Sequence, residues 1–182
     1  MKFSETDLAG VLQISPDIYS DDRGYFMETW QARRYQEAGI DEEFVQDNFS
    51  YSSHGTLRGL HYQIEQAQGK LVRVVLGEVF DVAVDIRRSS PNFGRSVGVR
   101  LSAENKQQLW VPPGFAHGFL VLSEFAAFEY KCSAYYASHA ERSIRWDDPE
   151  IAIDWPLAPG QQPLLSNKDA AAPLLKDAEI YP

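Results

Sequence analysis

The sequence predicts a mostly β protein, an antiparallel sandwich or barrel with short peripheral helices. Short β-rich runs separated by turn residues dominate the chain, and only two stretches read as helix. One run, VFDVAVDI at 79–86, alternates strictly, with Phe80, Val82, Val84 and Ile86 on one face and Asp81 and Asp85 on the other. A chain of 182 residues that is 44% hydrophobic and 13% aromatic fills one core. A single domain over 1–182 is therefore expected, with an N-terminal arm and a C-terminal tail closing on the core.

In chain order, strands are expected at 25–30, 44–51, 56–63, 70–76, 79–86, 97–101, 108–111, 118–122 and 125–132. KLVRVVL at 70–76 is joined to 79–86 through Gly77-Glu78, a two-residue turn with glycine first, and the pair reads as a hairpin. Residues 31–38, closed by Gly39, read as a helix, and 168–178 as a second. Pro112-Pro113-Gly114 makes a turn that places His117 at the start of the apolar run 118–122. The stretch 156–163 is a loop, and there is no repeat or low-complexity linker.

The formal charge is 17 − 26 = −9, which disfavours nucleic acid as a partner. The distribution is uneven. Residues 54–100 hold Arg58, Lys70, Arg73, Arg87, Arg88, Arg95 and Arg100 against Glu65, Glu78, Asp81 and Asp85, a basic island of +3 in an acidic chain. Cys132 is the only cysteine, which leaves no intramolecular disulfide and suits a reducing compartment. No secretory leader and no run of about 18 apolar residues is present, so a cytoplasmic protein that does not cross a membrane is expected.

The densest chemical signal is GTLRGLHYQ at 55–63. A strand histidine has a structural reading, because an imidazole often satisfies itself in a core. Arg58 adds a permanent charge that must meet a carboxylate or a ligand phosphate. Strict alternation puts Arg58 and His61 on opposite faces, and both reach one pocket only if the strand bulges, which Gly59 permits. Tyr130, in FAAFEYKCSAYY at 125–136, reads as a half-buried strand aromatic or, beside a basic island, as a proton donor. Asp169 reads as a helix N-cap, and equally as a carboxylate that fixes an imidazole tautomer. The run PPGFAHGF at 112–119 is similar to the PxGxxHxF motif of cupin jelly rolls, many of which hold a metal through paired histidines. Here Gln63 stands two residues after His61 where the second of those histidines would be, which argues against a metal.

The chain as a whole resembles the dTDP-4-dehydrorhamnose 3,5-epimerases, metal-free cupins of deoxysugar-nucleotide synthesis. The resemblance rests on DDRGYFMETW (21–30), FVQDNFS (44–50), LRGLHYQ (57–63), QGKLVRVVLGEVFDVAVDIRRSSPNFG (68–94), LSAENKQQLWVPPGFAHGFLVLSE (101–124), FEYK, Tyr136, Glu141 and LSNKDAAAP. It implies a jelly-roll fold, a homodimer with strand exchange, no cofactor, and a substrate whose 4-keto sugar hangs from thymidine diphosphate. It further implies His61 as the base, Asp169 orienting it, Tyr130 as the acid and Lys70 stabilising the enolate. By the same resemblance Arg23, Phe26, Glu28, Gln46, Asn48, Arg58, Lys70, His117, Glu141 and Lys168 hold the nucleotide sugar and Tyr136 stacks on its base, with Arg23 and Glu28 reaching the partner subunit's ligand. The rivals are an epimerase acting at one carbon, a 3,4-ketoisomerase, a non-catalytic carbohydrate-binding jelly roll and a metal-dependent cupin dioxygenase.

Overall fold

The computed structural model describes all 182 residues, and nearly all of its regular structure is antiparallel strand. The strands are β1 (Lys2–Glu5), β2 (Leu12–Ser15), β3 (Tyr19–Asp21), β4 (Gly24–Phe26), β5 (Gln46–Ser53), β6 (Leu57–Gln63), β7 (Lys70–Leu76), β8 (Glu78–Asp85), β9 (Ser96–Ser102), β10 (Gln108–Val111), β11 (Phe115–Val121), β12 (Phe125–Cys132) and β13 (Glu141–Ser143). Two short helices, α1 (Ala32–Glu37) and α2 (Asn167–Ala170), lie outside them. A six-stranded sheet in the order β1-β2-β10-β7-β12-β5 faces a five-stranded sheet in the order β13-β6-β11-β8-β9, forming a jelly-roll sandwich. β3 and β4 form a separate two-stranded arm.

Three apolar layers hold this together. Val72, Val74, Leu109 and Phe128 of the six-stranded sheet meet Val79, Leu101, Phe119 and Val121 of the other between the sheets. Outside the five-stranded sheet, Leu60, Val82, Val84, Ile86 and Leu120 pack against Ile144, Ile151, Trp155, Leu175 and Ala178, so the C-terminal segment covers that face. Its end is pinned by the Tyr181 hydroxyl donating to the Gln63 carbonyl and by Arg142 pairing with Glu179. On the outer face of the six-stranded sheet, Tyr35 and Ile40 pack on Leu71 and Trp110. No helix is long and apolar enough to cross a membrane.

The strands at 70–76, 108–111 and 125–132 form as expected from their apolar runs. Gln31 caps α1 by accepting from the Arg34 amide, and Gly39 leaves it at φ +87°. Four expectations are corrected. β7 and β8 are not a hairpin: they lie in different sheets, and Gly77, at φ +77°, turns the corner between them. A Cβ there would stand 2.0 Å from the Phe125 carbonyl oxygen, so the corner needs glycine for space as well as for conformation. β11 begins at Phe115, which places His117 inside a strand. The stretch 25–30 pairs only as far as Phe26, because β3, its one partner, ends the ladder there. Instead of one helix over 168–178 there is a single turn, α2, and a 3₁₀ turn at Leu175–Asp177, since Pro173 has no N–H to continue the ladder. β1, β2, β3 and β13 are short strands outside the expected runs.

The junction of β6 and β11 positions everything that follows. His61 faces His117 and Arg58 faces Phe119, so three steps on β6 match two on β11 and β6 bulges. Gly59 lies in the bulge at φ +120°, and a Cβ on it would sit 2.6 Å from the Gly118 Cα. Replacing Gly59 by alanine therefore forces a strained backbone and a backbone clash together. We expect Gly59→Ala to lose about 1–3 kcal/mol of unfolding free energy from the backbone conformation alone, read from the midpoint of a urea titration.

Candidate active site

The bulge brings Arg58 and His61 to one cavity of about 250 Å³, which Asn48, Ser50, Lys70, His117, Tyr130, Tyr136 and Glu141 also line. Arg58, His61 and His117 come from the five-stranded sheet, and Asn48, Lys70 and Tyr130 from the six-stranded one. The cavity thus opens between the sheets, at an end of the sandwich where polar side chains replace the apolar filling. Phe119 and Phe128, stacked with centroids 4.2 Å apart, form its apolar floor.

His61 Nε2 lies 2.5 Å from Asp169 Oδ1, across 108 positions of sequence. The proton assigned to Nε2 by this contact leaves the Nδ1 lone pair free to accept another. Asp169 is only 3% exposed. Burial opposes its charge, but the His61 contact, the Ser166 hydroxyl and the Lys168 charge outweigh burial and hold the carboxyl below the usual carboxylate range. Asp169 is not the N-cap of its helix. Ser166 is, accepting from the Asp169 amide, which frees the carboxylate for His61. A second buried pair went unnoticed in the sequence: His117 Nε2 meets both oxygens of Asp81 at 2.9 and 3.0 Å. Asp81 and Asp85 share one face of β8, as strict alternation requires, and that face points into the sandwich, where Asp81 meets His117 and Asp85 meets Arg87.

Lys70 and Arg58 are the cavity's uncompensated cations. Lys70 is 7% exposed, and burial pushes its ammonium below the ordinary lysine value against the pull of Cys132, Asp81 and Glu141. Arg58 forms no ion pair; its Nε donates to Ser52 Oγ at 3.1 Å. By contrast Arg73, Arg87 and Arg100 of the basic island are neutralised by Glu129, Asp85 and Glu78. Burial raises the Tyr130 phenol above its usual value, only partly offset by Asn48 and Arg58, so it keeps its proton at neutral pH. Ser50 Oγ, in the cavity wall, has no partner within the protein.

A polar rim closes one side. The Tyr136 hydroxyl donates to Glu141 Oε2 at 2.9 Å, Lys168 Nζ lies 2.5 Å from Glu141 Oε1, and the exposed Tyr136 ring stands beside the opening. Gln46 does not line the cavity; it accepts from the Tyr136 amide and donates to Asn48 Oδ1 at 3.0 Å, so it orients two residues that do. Gln63 is spent on backbone: its amide donates to the Gln66 and Tyr135 carbonyls and accepts from Ala137 N–H. No three His, Cys, Asp or Glu side chains converge in the way a metal ion requires. Arg23, Phe26 and Glu28 stand apart from the cavity of their own chain. The Arg23 side chain is 90% exposed on the β3–β4 arm and pairs with Asp21, and Glu28 pairs with Arg34.

A model of the dTDP-4-dehydrorhamnose 3,5-epimerase family matches residues 5–177. The chain is 56% identical to the dTDP-4-dehydrorhamnose 3,5-epimerase of Pseudomonas aeruginosa, over 100% of both sequences. It is similar to the crystal structure of a dTDP-6-deoxy-D-glucose-3,5-epimerase of Legionella pneumophila in complex with dTDP-4-keto-L-rhamnose. That match has a TM-score of 0.93 and 59% identity and covers 97% of this chain and 93% of that one. A 3'-monoepimerase of Streptomyces bikiniensis in complex with dTDP-quinovose also matches, with a TM-score of 0.87 and 36% identity over 94% of this chain and 86% of that one. The family match spans the whole cavity and the helix that carries Asp169, and the chain belongs to the dTDP-4-dehydrorhamnose 3,5-epimerase family.

Proposed function

We propose that the chain epimerises dTDP-4-dehydro-6-deoxy-D-glucose at C3 and C5 to dTDP-4-dehydro-L-rhamnose, a step of dTDP-L-rhamnose biosynthesis. The observation that carries this is the arrangement across the cavity: a histidine of one sheet, held by a carboxylate from α2, and a protonated phenol and a buried lysine on the other sheet. Inverting a carbon α to a ketone needs a base on one face of the ring and an acid on the opposite face.

His61 Nδ1 removes the proton at C3 or C5, and Asp169 stabilises the imidazolium that forms. The electron pair of the broken C–H bond moves into an enolate whose charge collects on O4. Lys70 meets that charge from a desolvated position, an effect worth about 3–4 kcal/mol per well-placed donor. The Tyr130 hydroxyl then returns a proton from the other face, and the centre is inverted. Arg58, Asn48, His117, Glu141 and Lys168 hold the nucleotide sugar, Gln46 supports it by orienting Asn48 and Tyr136, and Tyr136 stacks on the base. The reaction uses no cofactor.

The enzyme acts as a homodimer in which the β3–β4 arm crosses to the other subunit, so that Arg23, Phe26 and Glu28 complete the partner's nucleotide site. An exposed apolar surface supports this: Tyr19, Tyr25 and Phe26 on the arm, and Phe49, Tyr51, Leu76 and Phe125 on β5, β7 and β12, stand in solvent in a single chain. A cytoplasmic location agrees with the single buried thiol, Cys132. Epimerisation at both carbons is favoured over one by the 56% and 59% identities to 3,5-epimerases against 36% to a 3'-monoepimerase.

NMR of dTDP-4-dehydro-6-deoxyglucose incubated with the protein in D2O reads the reaction directly. Deuterium should enter at C3 and C5 with inversion at both; exchange at C3 alone would reassign the protein as a monoepimerase. His61→Ala should slow exchange at both carbons by about 10²–10⁴-fold. Tyr130→Phe should still admit deuterium while the yield of inverted product falls by about 10²-fold, and normal yield and stereochemistry would remove Tyr130 as the acid. Calorimetric titration with dTDP should show Arg58→Ala binding about tenfold more weakly or worse, the loss of a charged hydrogen bond to phosphate.

A further inference from the structure

We propose that Ser166 is the positioning residue of the His61–Asp169 pair: its hydroxyl holds the second oxygen of the Asp169 carboxylate and thereby sets the direction in which the first meets the imidazole. The inference rests on the reading of His61 as the base.

The two groups form a closed loop. Ser166 Oγ donates to Asp169 Oδ2 at 2.9 Å and accepts from the Asp169 amide at 3.1 Å. A hydroxyl carries one donor and two acceptor lone pairs, so one Ser166 serves both contacts. With Oδ1 engaged by His61 at 2.5 Å, both carboxylate oxygens are held, and rotation about the last side-chain torsion of Asp169 is blocked from two sides.

This second bond is more than a helix cap requires. Capping needs only an oxygen that accepts from a backbone N–H, and the donated bond to Oδ2 adds nothing to it. It matters because of where Asp169 stands. The residue is almost fully buried, so an unheld Oδ2 would have no water to turn to, and a carboxylate free to rotate would present Oδ1 to His61 at varying angles. Its helix has four residues, too few to be rigid by itself, and the same turn carries Lys168, which is tied to Glu141 at the cavity rim. Ser166 is therefore where the chain that brings in the carboxylate is fastened to the carboxylate.

Three substitutions separate this role from capping. Ser166→Thr keeps the donor and the acceptor. Ser166→Ala removes both. Ser166→Gly removes the hydroxyl but leaves a residue that caps helices nearly as well as serine. We expect the alanine and glycine variants to lose about tenfold to a hundredfold in kcat with KM within about twofold, the threonine variant to retain wild-type kcat, and the glycine variant to stay close to wild type in thermal midpoint. The His61 side chain supplies a reading that needs no substrate. In ¹⁵N-labelled protein the Nε2–H resonance should be sharp in the wild type and Ser166→Thr, and broadened by exchange in the other two. A Ser166→Gly variant with wild-type kcat, or an unaltered Nε2–H resonance in Ser166→Ala, would overturn the proposal and leave Ser166 a cap. Absence of exchange at C3 and C5 in the wild type would sink the epimerase reading instead, and the resonance comparison would still decide the role of Ser166.

Discussion

The backbones of β6 and β11 approach so closely at Gly59 and Gly118 that neither position has room for a Cβ. The functional geometry depends on this contact. A regular β6 would send Arg58 and His61 to opposite faces, one into the sandwich and one under the C-terminal segment. The bulge turns both into the same cavity, opposite His117, and leaves Leu57, Leu60 and Tyr62 to anchor the strand in the apolar layer behind it. The C-terminal chain that covers this layer also delivers Asp169. The covering of the outer face and the completion of the His61 pair are therefore one structural event.

Charge is handled differently inside the cavity and outside it. Over the rest of the protein Arg73, Arg87 and Arg100 of the basic island are each matched by a carboxylate, within a chain whose net charge is −9. In the cavity Arg58 and Lys70 have no carboxylate, while the acids nearby are already committed: Asp169 to His61, Asp81 to His117, Glu141 to Lys168 and Tyr136. An unpaired buried ammonium costs folding free energy, and such a cost persists where an anionic ligand or a developing negative charge recovers it. The site is a local surplus of positive charge made by pairing the acids elsewhere, within a chain whose overall balance has the opposite sign.

Alternation told which residues share a face, and it was sound for 79–86. It carried no information about which sheet a strand joins. β7 and β8 are consecutive, apolar and linked by a glycine turn, the pattern of a hairpin, yet they lie in opposite sheets, and the corner at Gly77 packs so closely on Ser123 and Phe125 that it leaves no room for a Cβ. The expected helix at 168–178 was a run of helix-forming residues broken by Pro173, and the capping role given to Asp169 belonged three residues earlier, at Ser166. An acid on an alternating strand reads as its solvent face, and Asp81 is buried against that pattern. Inside a two-layer sandwich with a covered outer face, β8 has no solvent face, and an acid there must be paired.

Short alternating runs and glycine and proline punctuation were enough to specify an antiparallel β class and the chemical inventory of the site: a histidine and arginine flanking a glycine, a lysine opening one apolar strand, a tyrosine near the end of another. These are local patterns, set by residue type and spacing over a few positions. Packing in three dimensions brings His61 against Asp169, sets Tyr130 and Lys70 opposite them on the other sheet, lets Ser166 hold the free carboxylate oxygen, and leaves Arg23, Phe26 and Glu28 outside the cavity of their own chain. Those facts rest on contacts between positions up to 108 residues apart. Such contacts arise from how two sheets pack and how the last segment closes over one of them, which no local periodicity encodes.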